Sequence, residues 1–242
     1  MDNAANTYRL IDYSIQDGNI HPVAIICPGG GYGMIADHVE GAPFAKKLNA
    51  MGISAFVVYY RVGEEATFPN PQDDLAKAVK EVWDMREEKH LDMRHYSIWG
   101  SSAGGHLVAS FGAKETGYKK YKLPKPAALV LIYPVISMGP LTHAGSRQNL
   151  IGADPSADTV ELLSIEKQVT PDYPPTFVWC GDADTCVNPK NSYMMAAALE
   201  KAGVPHEYME FPGIGHGVGL NIGGVAEAWF EKAVNFWLSG EV

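Results

Sequence analysis

The sequence predicts an α/β fold with a mostly parallel central sheet and helices on both of its faces. Short apolar runs rich in β-branched and aromatic residues alternate along the chain with stretches of helical periodicity. Most of these runs end at a glycine or a proline, as buried strands do where the chain turns. Strands that alternate with helices are joined by right-handed crossovers, which makes neighbouring strands parallel and covers both sides of the sheet.

The predicted strands fall into a parallel group and one edge strand. The parallel group covers residues 23–27, 53–60, 97–99, 128–133, 176–180 and 207–211. Their nearly continuous apolar character is typical of strands that are buried on both faces. Residues 8–15 are predicted to add an antiparallel strand at one edge of the sheet.

Helical periodicity between the strands is clearest in three segments. Pro71 suits the first turn of a helix whose apolar stripe includes Leu75 and Val82. A second helix begins after Pro189 and ends at Gly203, which has the position of a C-cap. The third is predicted for residues 224–238, and its expected inward-facing side chains are Val225, Trp229, Ala233, Phe236 and Trp237.

Composition and charge argue against several classes of partner. The chain of 242 residues contains 46% hydrophobic and 19% charged residues, which is typical of a soluble globular protein. A net charge of -9 argues against nucleic acid or a membrane surface as a partner, because both require clustered Lys and Arg. No apolar stretch approaches the roughly 20 residues of a membrane span, and the N-terminus has no signal-peptide pattern.

The cysteines indicate a reducing compartment. Cys27, Cys180 and Cys186 are an odd number of thiols and lack the spacing of a metal site. We therefore expect free thiols, no metal centre and a cytoplasmic protein.

A tight strand-to-helix turn is predicted at Gly100-Ser-Ser-Ala-Gly104. This stretch fits Gly-x-Ser-x-Gly with Ser102 at the central position. A strand before it and helical residues 105–114 after it supply the context in which such a turn exposes a strained serine hydroxyl. The motif alone has three fixed positions in a chain with 25 glycines. A glycine-rich turn with incidental serines therefore remains the alternative.

A second glycine-rich stretch, Cys27-Pro-Gly-Gly-Gly-Tyr-Gly33, follows the strand at residues 23–27. It lacks the Lys and Ser/Thr of a phosphate-binding loop and the spacing of a dinucleotide-binding loop. Its backbone N–H groups could instead stabilise a developing oxyanion, because glycines allow a substrate to approach closely. A flexible turn is the alternative.

Carboxylate and imidazole groups follow the last two predicted strands. Asp182 and Asp184 come after the strand at residues 176–180, and His216 stands between glycines after the final strand. His106 lies in the helix that follows Ser102, where it is expected to pack beneath the turn. Carboxyl ends of parallel strands share one edge of a sheet, where ligands bind, and the order Ser, Asp, His is one of the known orders of a catalytic triad.

These residues resemble the α/β-hydrolase superfamily, in particular small bacterial acetylxylan-esterase-like members of its lipase and esterase branch. Cys-Pro-Gly-Gly-Gly-Tyr stands where that branch often has His-Gly-Gly-Gly. The family pattern Gly-x-x-Asp-x-x-Val falls on Gly181, Asp184 and Val187, and the family's histidine falls on His216. Further matching stretches are Tyr133-Pro-Val-Ile-Ser137, His143-Ala-Gly-Ser-Arg147, Asn149-Leu-Ile-Gly152 and Pro174-Pro-Thr-Phe-Val-Trp179.

The resemblance implies an α/β-hydrolase fold and a serine hydrolase mechanism. Ser102 would be the nucleophile, His216 the general base and Asp184 the carboxylate that orients the imidazole. The remaining expected site residues are the oxyanion-hole residues Gly30, Gly31 and Ala103 and the candidate substrate contacts Tyr32, His143 and Arg147. For His143 and Arg147, a role that only holds the surrounding segment in place is an equal alternative. No metal or organic cofactor is expected.

The pattern of strands and helices predicts the domain organisation, and the resemblance implies the substrate class. Residues 1–242 would form a single domain, with residues 134–174 as an insertion that lines or covers the active site and contains a short helix near residues 157–168. The expected partner is a small-molecule or oligosaccharide ester, such as an acetylated xylo-oligosaccharide. An amidase such as a formamidase or peptidase, and a catalytically silent binding protein, are the alternatives. The oligomeric state is open, with a homo-oligomer among the alternatives.

Overall fold

The computed structural model describes residues 7–239, which form a sheet of seven strands with helices on both faces. The strands are β1 Arg9–Tyr13, β2 His21–Cys27, β3 Ser54–Tyr59, β4 Leu91–Ser101, β5 Ala128–Ile132, β6 Thr176–Gly181 and β7 His206–Phe211. The helices are α1 Asp37–Glu40, α2 Ala42–Ala50, α3 Asn70–Asp84, α4 Ser102–Gly112, α5 Tyr118–Tyr121, α6 Ala144–Ile151, α7 Ala157–Leu162, α8 Lys190–Ala202 and α9 Trp229–Ser239. The predicted fold class is confirmed.

The strand order places a switch point beside β2. The order across the sheet is β1-β3-β2-β4-β5-β6-β7, with β1 antiparallel to β3 and the other described pairs parallel. After β2, the chain adds β3 on one side and then crosses to add β4 on the other. In open α/β sheets, ligands bind in the crevice outside the carboxyl ends of strands at such a reversal. The loops that follow β2 and β4 are therefore neighbours at the functional edge.

The strand and helix predictions differ from the structure mainly at element ends. β4 begins at Leu91 rather than at residue 97, because its first half is a polar, bulged segment in which Arg94 and His95 are exposed. α9 begins at Trp229 rather than at residue 224. The expectation that Val225 faces inward is wrong, since its side chain is 67% exposed within the turns that precede α9.

The segment between β5 and β6 contains more structure than the sequence analysis predicted. The helix expected near residues 157–168 is split into α7 and a 3-10 turn at Ile165–Lys167. The unpredicted α6 begins after His143, whose side chain accepts the Ser146 N–H as an N-cap. The single domain over residues 1–242 stays a prediction. Residues 1–6 and 240–242 lie outside the described range. The N-terminal segment in which we expect no signal peptide begins within residues 1–6 and so lies partly outside that range.

The hydrophobic core consists of two layers, one on each face of the sheet. Ala24 and Ile26 of β2 point into a layer covered by α2 and α9. Val23 and Ile25 point into the opposite layer, which contains apolar side chains of α3, α4 and α8. This alternation along a single strand explains why the parallel strands are apolar on both faces.

Trp229 is the centre of an aromatic cluster in the α9 layer. Its side chain is fully buried, and its ring centroid lies 5.2 Å from that of Trp179 and 5.5 Å from that of Phe44. We expect Trp229→Ala to lower the free energy of unfolding by about 3–5 kcal/mol, because it removes this packing and leaves a cavity. Urea unfolding followed by circular dichroism measures the loss. Val225→Ala, at an exposed position, is the control, and equal effects of the two substitutions would contradict this assignment of the core.

Candidate active site

Ser102 occupies a strained turn between β4 and α4. Its φ is +53°, in the left-handed region that residues other than glycine rarely adopt. The turn needs glycines on both sides because the backbone is crowded there. A Cβ on Gly104 would lie 2.1 Å from the Cys27 carbonyl oxygen, and one on Gly100 would lie 2.3 Å from the Gly104 carbonyl oxygen. The spacing of the motif is therefore a packing requirement of the turn.

The three residues predicted to act together lie in one hydrogen-bonded chain. His216 Nε2 is 2.9 Å from Ser102 Oγ, and His216 Nδ1 is 2.6 Å from Asp184 Oδ2. The other carboxylate oxygen of Asp184 accepts the backbone N–H groups of Cys186 and Val187, each at 2.9 Å. The Asp184 side chain is 1% exposed. The carboxylate is thus held by two backbone donors on one side and by the imidazole on the other.

This chain of hydrogen bonds determines which imidazole nitrogen carries the proton. A carboxylate oxygen only accepts hydrogen bonds, so His216 Nδ1 donates to Asp184. His216 Nε2 is then unprotonated and can accept the Ser102 hydroxyl proton. Asp182, the other carboxylate after β6, is exposed and accepts the Gly213 N–H at 2.6 Å. Asp182 therefore stabilises a turn and takes no part in the hydrogen bonds that join Asp184, His216 and Ser102.

The glycine loop after β2 presents unused backbone donors beside Ser102. Gly30 and Gly31 have φ values of +124° and +64°, and within residues 7–239 their N–H groups donate to no protein acceptor. The Gly30 carbonyl accepts the N–H groups of the next turn, and the Gly31 carbonyl accepts Asn149 Nδ2 at 2.9 Å. Ala103 lies in the first turn of α4, where N–H groups have no partner within the helix. These donors suit an anionic oxygen.

The site opens into a cleft of about 370 Å³ at the carboxyl edge of the sheet. Its walls are formed by Gly30, Gly31, Met34, Ala36, His38, Val39, Glu40, Ser102, His143, Cys186, His216 and Gly217. Within the described range, no group of His, Cys, Asp and Glu side chains has the arrangement of a metal site. No described helix is long and apolar enough to cross a lipid bilayer.

The three candidate substrate contacts have different positions. His143 lines the cleft; burial lowers the pKa of its imidazole, and its Nδ1 lies 2.8 Å from Ser146 Oγ. Arg147 is half-buried on α6 and is not among the residues that line the cleft. The expectation that Tyr32 contacts the substrate is wrong, because its side chain is fully buried and cannot reach a substrate.

Tyr32 and His106 instead support the loop and the turn from below. The Tyr32 hydroxyl lies 2.8 Å from His106 Nδ1, and His106 Nε2 donates to the Leu163 carbonyl at 2.8 Å. Burial lowers the pKa of His106 to about 4, so the imidazole is neutral at neutral pH. His106 therefore packs beneath the turn, as predicted, and connects it to the segment between β5 and β6.

Three polar residues at the site were missed by the sequence analysis. Asn149 holds the Gly31 carbonyl, while Glu40 and Tyr133 form a buried pair beside the cleft, joined at 2.8 Å. Tyr133 and Asn149 belong to stretches that match the hydrolase pattern, which was the available signal. Glu40 lies in a short polar helix with no motif around it, and nothing in the sequence indicated that it is buried.

Comparison with known proteins gives the same fold and extends over most of the chain. A family model of the α/β-hydrolase fold matches residues 27–220. The crystal structure of an acetyl ester-xyloside bifunctional hydrolase from Caldicellulosiruptor lactoaceticus superposes with a TM-score of 0.89 at 34% identity. The match covers 99% of this chain and 90% of that one.

Two curated relatives are longer proteins. Endo-1,4-beta-xylanase B of Butyrivibrio fibrisolvens is 32% identical over 219 residues, which cover 87% of this chain and 34% of that protein. An acetylxylan esterase of Xylanibacter ruminicola is 28% identical over 214 residues, which cover 84% of this chain and 41% of that protein. The chain thus spans less than half of either relative. The match of the family model and the geometry around Ser102 together establish that the chain belongs to the α/β-hydrolase family.

Proposed function

We propose that this chain is a serine ester hydrolase that removes acetyl or similar short acyl groups from xylo-oligosaccharides. The observation that carries the proposal is the hydrogen-bonded chain from Ser102 through His216 to Asp184, beside unused glycine N–H groups in an open cleft. The substrate class is supported by the relatives, which include an acetylxylan esterase and an acetyl ester-xyloside hydrolase. This chain spans only 34% of the xylanase relative, and the proposed activity is therefore ester hydrolysis without cleavage of glycosidic bonds.

The proposed mechanism proceeds through a covalent acyl-enzyme. His216 takes the hydroxyl proton of Ser102 while Ser102 Oγ attacks the ester carbonyl. The imidazolium then gives that proton to the leaving alcohol. Water, activated by the same imidazole, releases the acid and restores Ser102. Asp184 keeps the imidazole in the required tautomer and stabilises the imidazolium that forms.

The developing oxyanion would be bound by backbone N–H groups of the glycine loop and of α4. We assign this role to Ala103 together with Gly30 or Gly31. Loss of one such donor typically costs about 3–4 kcal/mol of transition-state stabilisation. No metal or organic cofactor enters this mechanism, since every proton and electron pair moves between the ester, water and these side chains.

His143 is the proposed contact for the sugar part of the substrate. Its Nδ1 accepts the Ser146 N–H at 3.2 Å, so the ring proton resides on Nε2, which can donate to a hydroxyl in the cleft. We also propose a cytoplasmic location, which agrees with the free thiols of Cys27, Cys180 and Cys186.

A comparison of substrates tests the proposal. We expect the highest kcat/KM for acetyl esters, a decline as the acyl chain lengthens, and acetate release from acetylated xylo-oligosaccharides. Formyl-amide and aminoacyl-amide substrates serve as the competing class. Faster turnover of the amides would identify an amidase. Absence of turnover together with absence of covalent labelling by an aryl phosphonate would identify a catalytically silent binding protein.

A further inference from the structure

A buried carboxyl group lies behind the glycine loop and is not used by the mechanism above. Glu40 is 4% exposed, although it lies on the short helix α1 at the wall of the cleft. Its Oε2 accepts the Gly29 N–H at 2.7 Å, and its Oε1 accepts the Tyr133 hydroxyl at 2.8 Å. Burial raises the pKa of the Glu40 carboxyl, and hydrogen bonds from Tyr133 and Gly29 oppose this effect. The protein therefore retains a costly buried acid at this position.

On one side, Glu40 controls the start of the glycine loop. Gly29 packs directly against the nucleophile, because a Cβ at this glycine would lie 2.9 Å from the Ser102 Cβ and 2.7 Å from Glu40 Oε2. The hydrogen bond to the Gly29 N–H thus holds the loop at its closest approach to Ser102. The next residue along the chain is Gly30, one of the proposed oxyanion donors. A shift of Gly29 would move that donor relative to the nucleophile.

On the other side, Tyr133 connects Glu40 to the loop that carries the general base. The Tyr133 hydroxyl accepts the Gly219 N–H at 3.1 Å while it donates to Glu40. Its ring packs edge-on against the His216 imidazole, with 4.9 Å between centroids and 63° between planes. Tyr133 is fixed in an uncommon backbone conformation, with φ of +35°, and is 1% exposed. It therefore contacts the His216 loop at both its backbone and its imidazole.

We propose that Glu40 and Tyr133 are positioning residues that hold the oxyanion loop and the His216 loop in one fixed relation to Ser102. This inference rests on the proposed function of the site. Within the described residues, neither side chain hydrogen-bonds to Ser102 Oγ or to the His216 imidazole, so the pair stands outside the proposed proton transfer. It acts through Gly29 on one loop and through Gly219 and His216 on the other, as one rigid connection across the site.

Substitution of the pair tests this role through a split between kcat and KM. Glu40→Gln preserves the shape of the side chain, but its carboxamide has one acceptor oxygen for two donors, so we expect kcat for an aryl acetate to fall about tenfold with KM unchanged. Glu40→Ala is expected to lower kcat about 100-fold, the typical cost of misplacing a reacting group by 1 Å. Since the Tyr133 hydroxyl bonds to both Glu40 and Gly219, one of its two contacts is already lost in Glu40→Ala, and adding Tyr133→Phe to Glu40→Ala should cost less than Tyr133→Phe costs alone.

Glu166→Gln is the matched control. Burial also raises the pKa of the Glu166 carboxyl, but this residue is not among those that line the cleft. We expect wild-type kcat and unchanged thermal unfolding from this control. Glu40→Gln leaves one buried donor unpaired, so we expect it to unfold at a somewhat lower temperature but to remain folded under the assay conditions. A wild-type kcat in Glu40→Gln and Glu40→Ala, or independent effects of Glu40 and Tyr133, would overturn the positioning role while leaving the esterase assignment intact. A wild-type enzyme with neither ester turnover nor phosphonate labelling would overturn both.

Discussion

Ser102→Ala is expected to lower kcat for short-chain acyl esters by about six orders of magnitude, as loss of the nucleophile does in triad hydrolases. The substitution removes only the hydroxyl that faces His216 Nε2 at 2.9 Å. The strained φ of +53° is retained, because alanine at this position has the same backbone restriction as serine. Initial rates on an aryl acetate measure the loss, and denaturant unfolding checks that the fold is intact.

Ser101→Ala is the matched control for this experiment. Ser101 is the adjacent serine, is equally small and buried, and is not among the residues that line the cleft. We expect it to retain wild-type kcat within a few-fold. Substantial turnover by a clean preparation of Ser102→Ala, or equal losses in the two variants, would remove Ser102 from the role of nucleophile.

Asp184→Asn is expected to lower kcat by about four orders of magnitude with little change in structure. Two backbone N–H groups, of Cys186 and Val187, donate to one carboxylate oxygen, so the amide oxygen of the asparagine must take that position. Its NH₂ group then faces His216 Nδ1, which must accept. The imidazole proton is forced onto Nε2, and His216 can no longer remove the proton of Ser102.

Asp182→Asn separates this tautomer effect from a general loss of negative charge. Asp182 carries the same charge two residues away, but it is exposed and contacts the Gly213 N–H. The measurement is kcat/KM of both variants across pH. Comparable losses in the two variants would mean that Asp184 acts through its charge alone, which contradicts the orientation that the backbone donors impose.

The sequence was sufficient for the part of the site that depends on strand order. Ser102, Asp184 and His216 each follow the carboxyl end of a parallel strand, so topology alone brings them to one edge. It was insufficient where a side-chain direction or a distant contact decides the outcome. Tyr32, with φ of +58°, is turned into the core, although its loop lies beside the cleft. The contact of Glu40 with Tyr133 joins residues 93 positions apart.

Element ends were the least predictable part of the fold. The first half of β4 has exposed polar residues on a bulged strand, so it shows no continuous apolar run. The start of α9 was placed too early, because Val225 continues the apolar spacing of the helix although it lies in a turn. Strand pairing extends β4 beyond its apolar run, and a turn replaces the first residues of the predicted last helix. In both places the structure departs from what hydrophobic periodicity predicts.

The order of the site residues along the chain has a consequence for biosynthesis. The glycine loop and the Ser102 turn are translated well before His216, which lies 114 positions after Ser102 and follows β7, an outer strand of the described sheet. A nascent chain that ends before residue 216 contains the proposed nucleophile but not its proposed base. The proposed hydrolytic chemistry would therefore be complete only after β7 and the loop that carries His216 have joined the sheet.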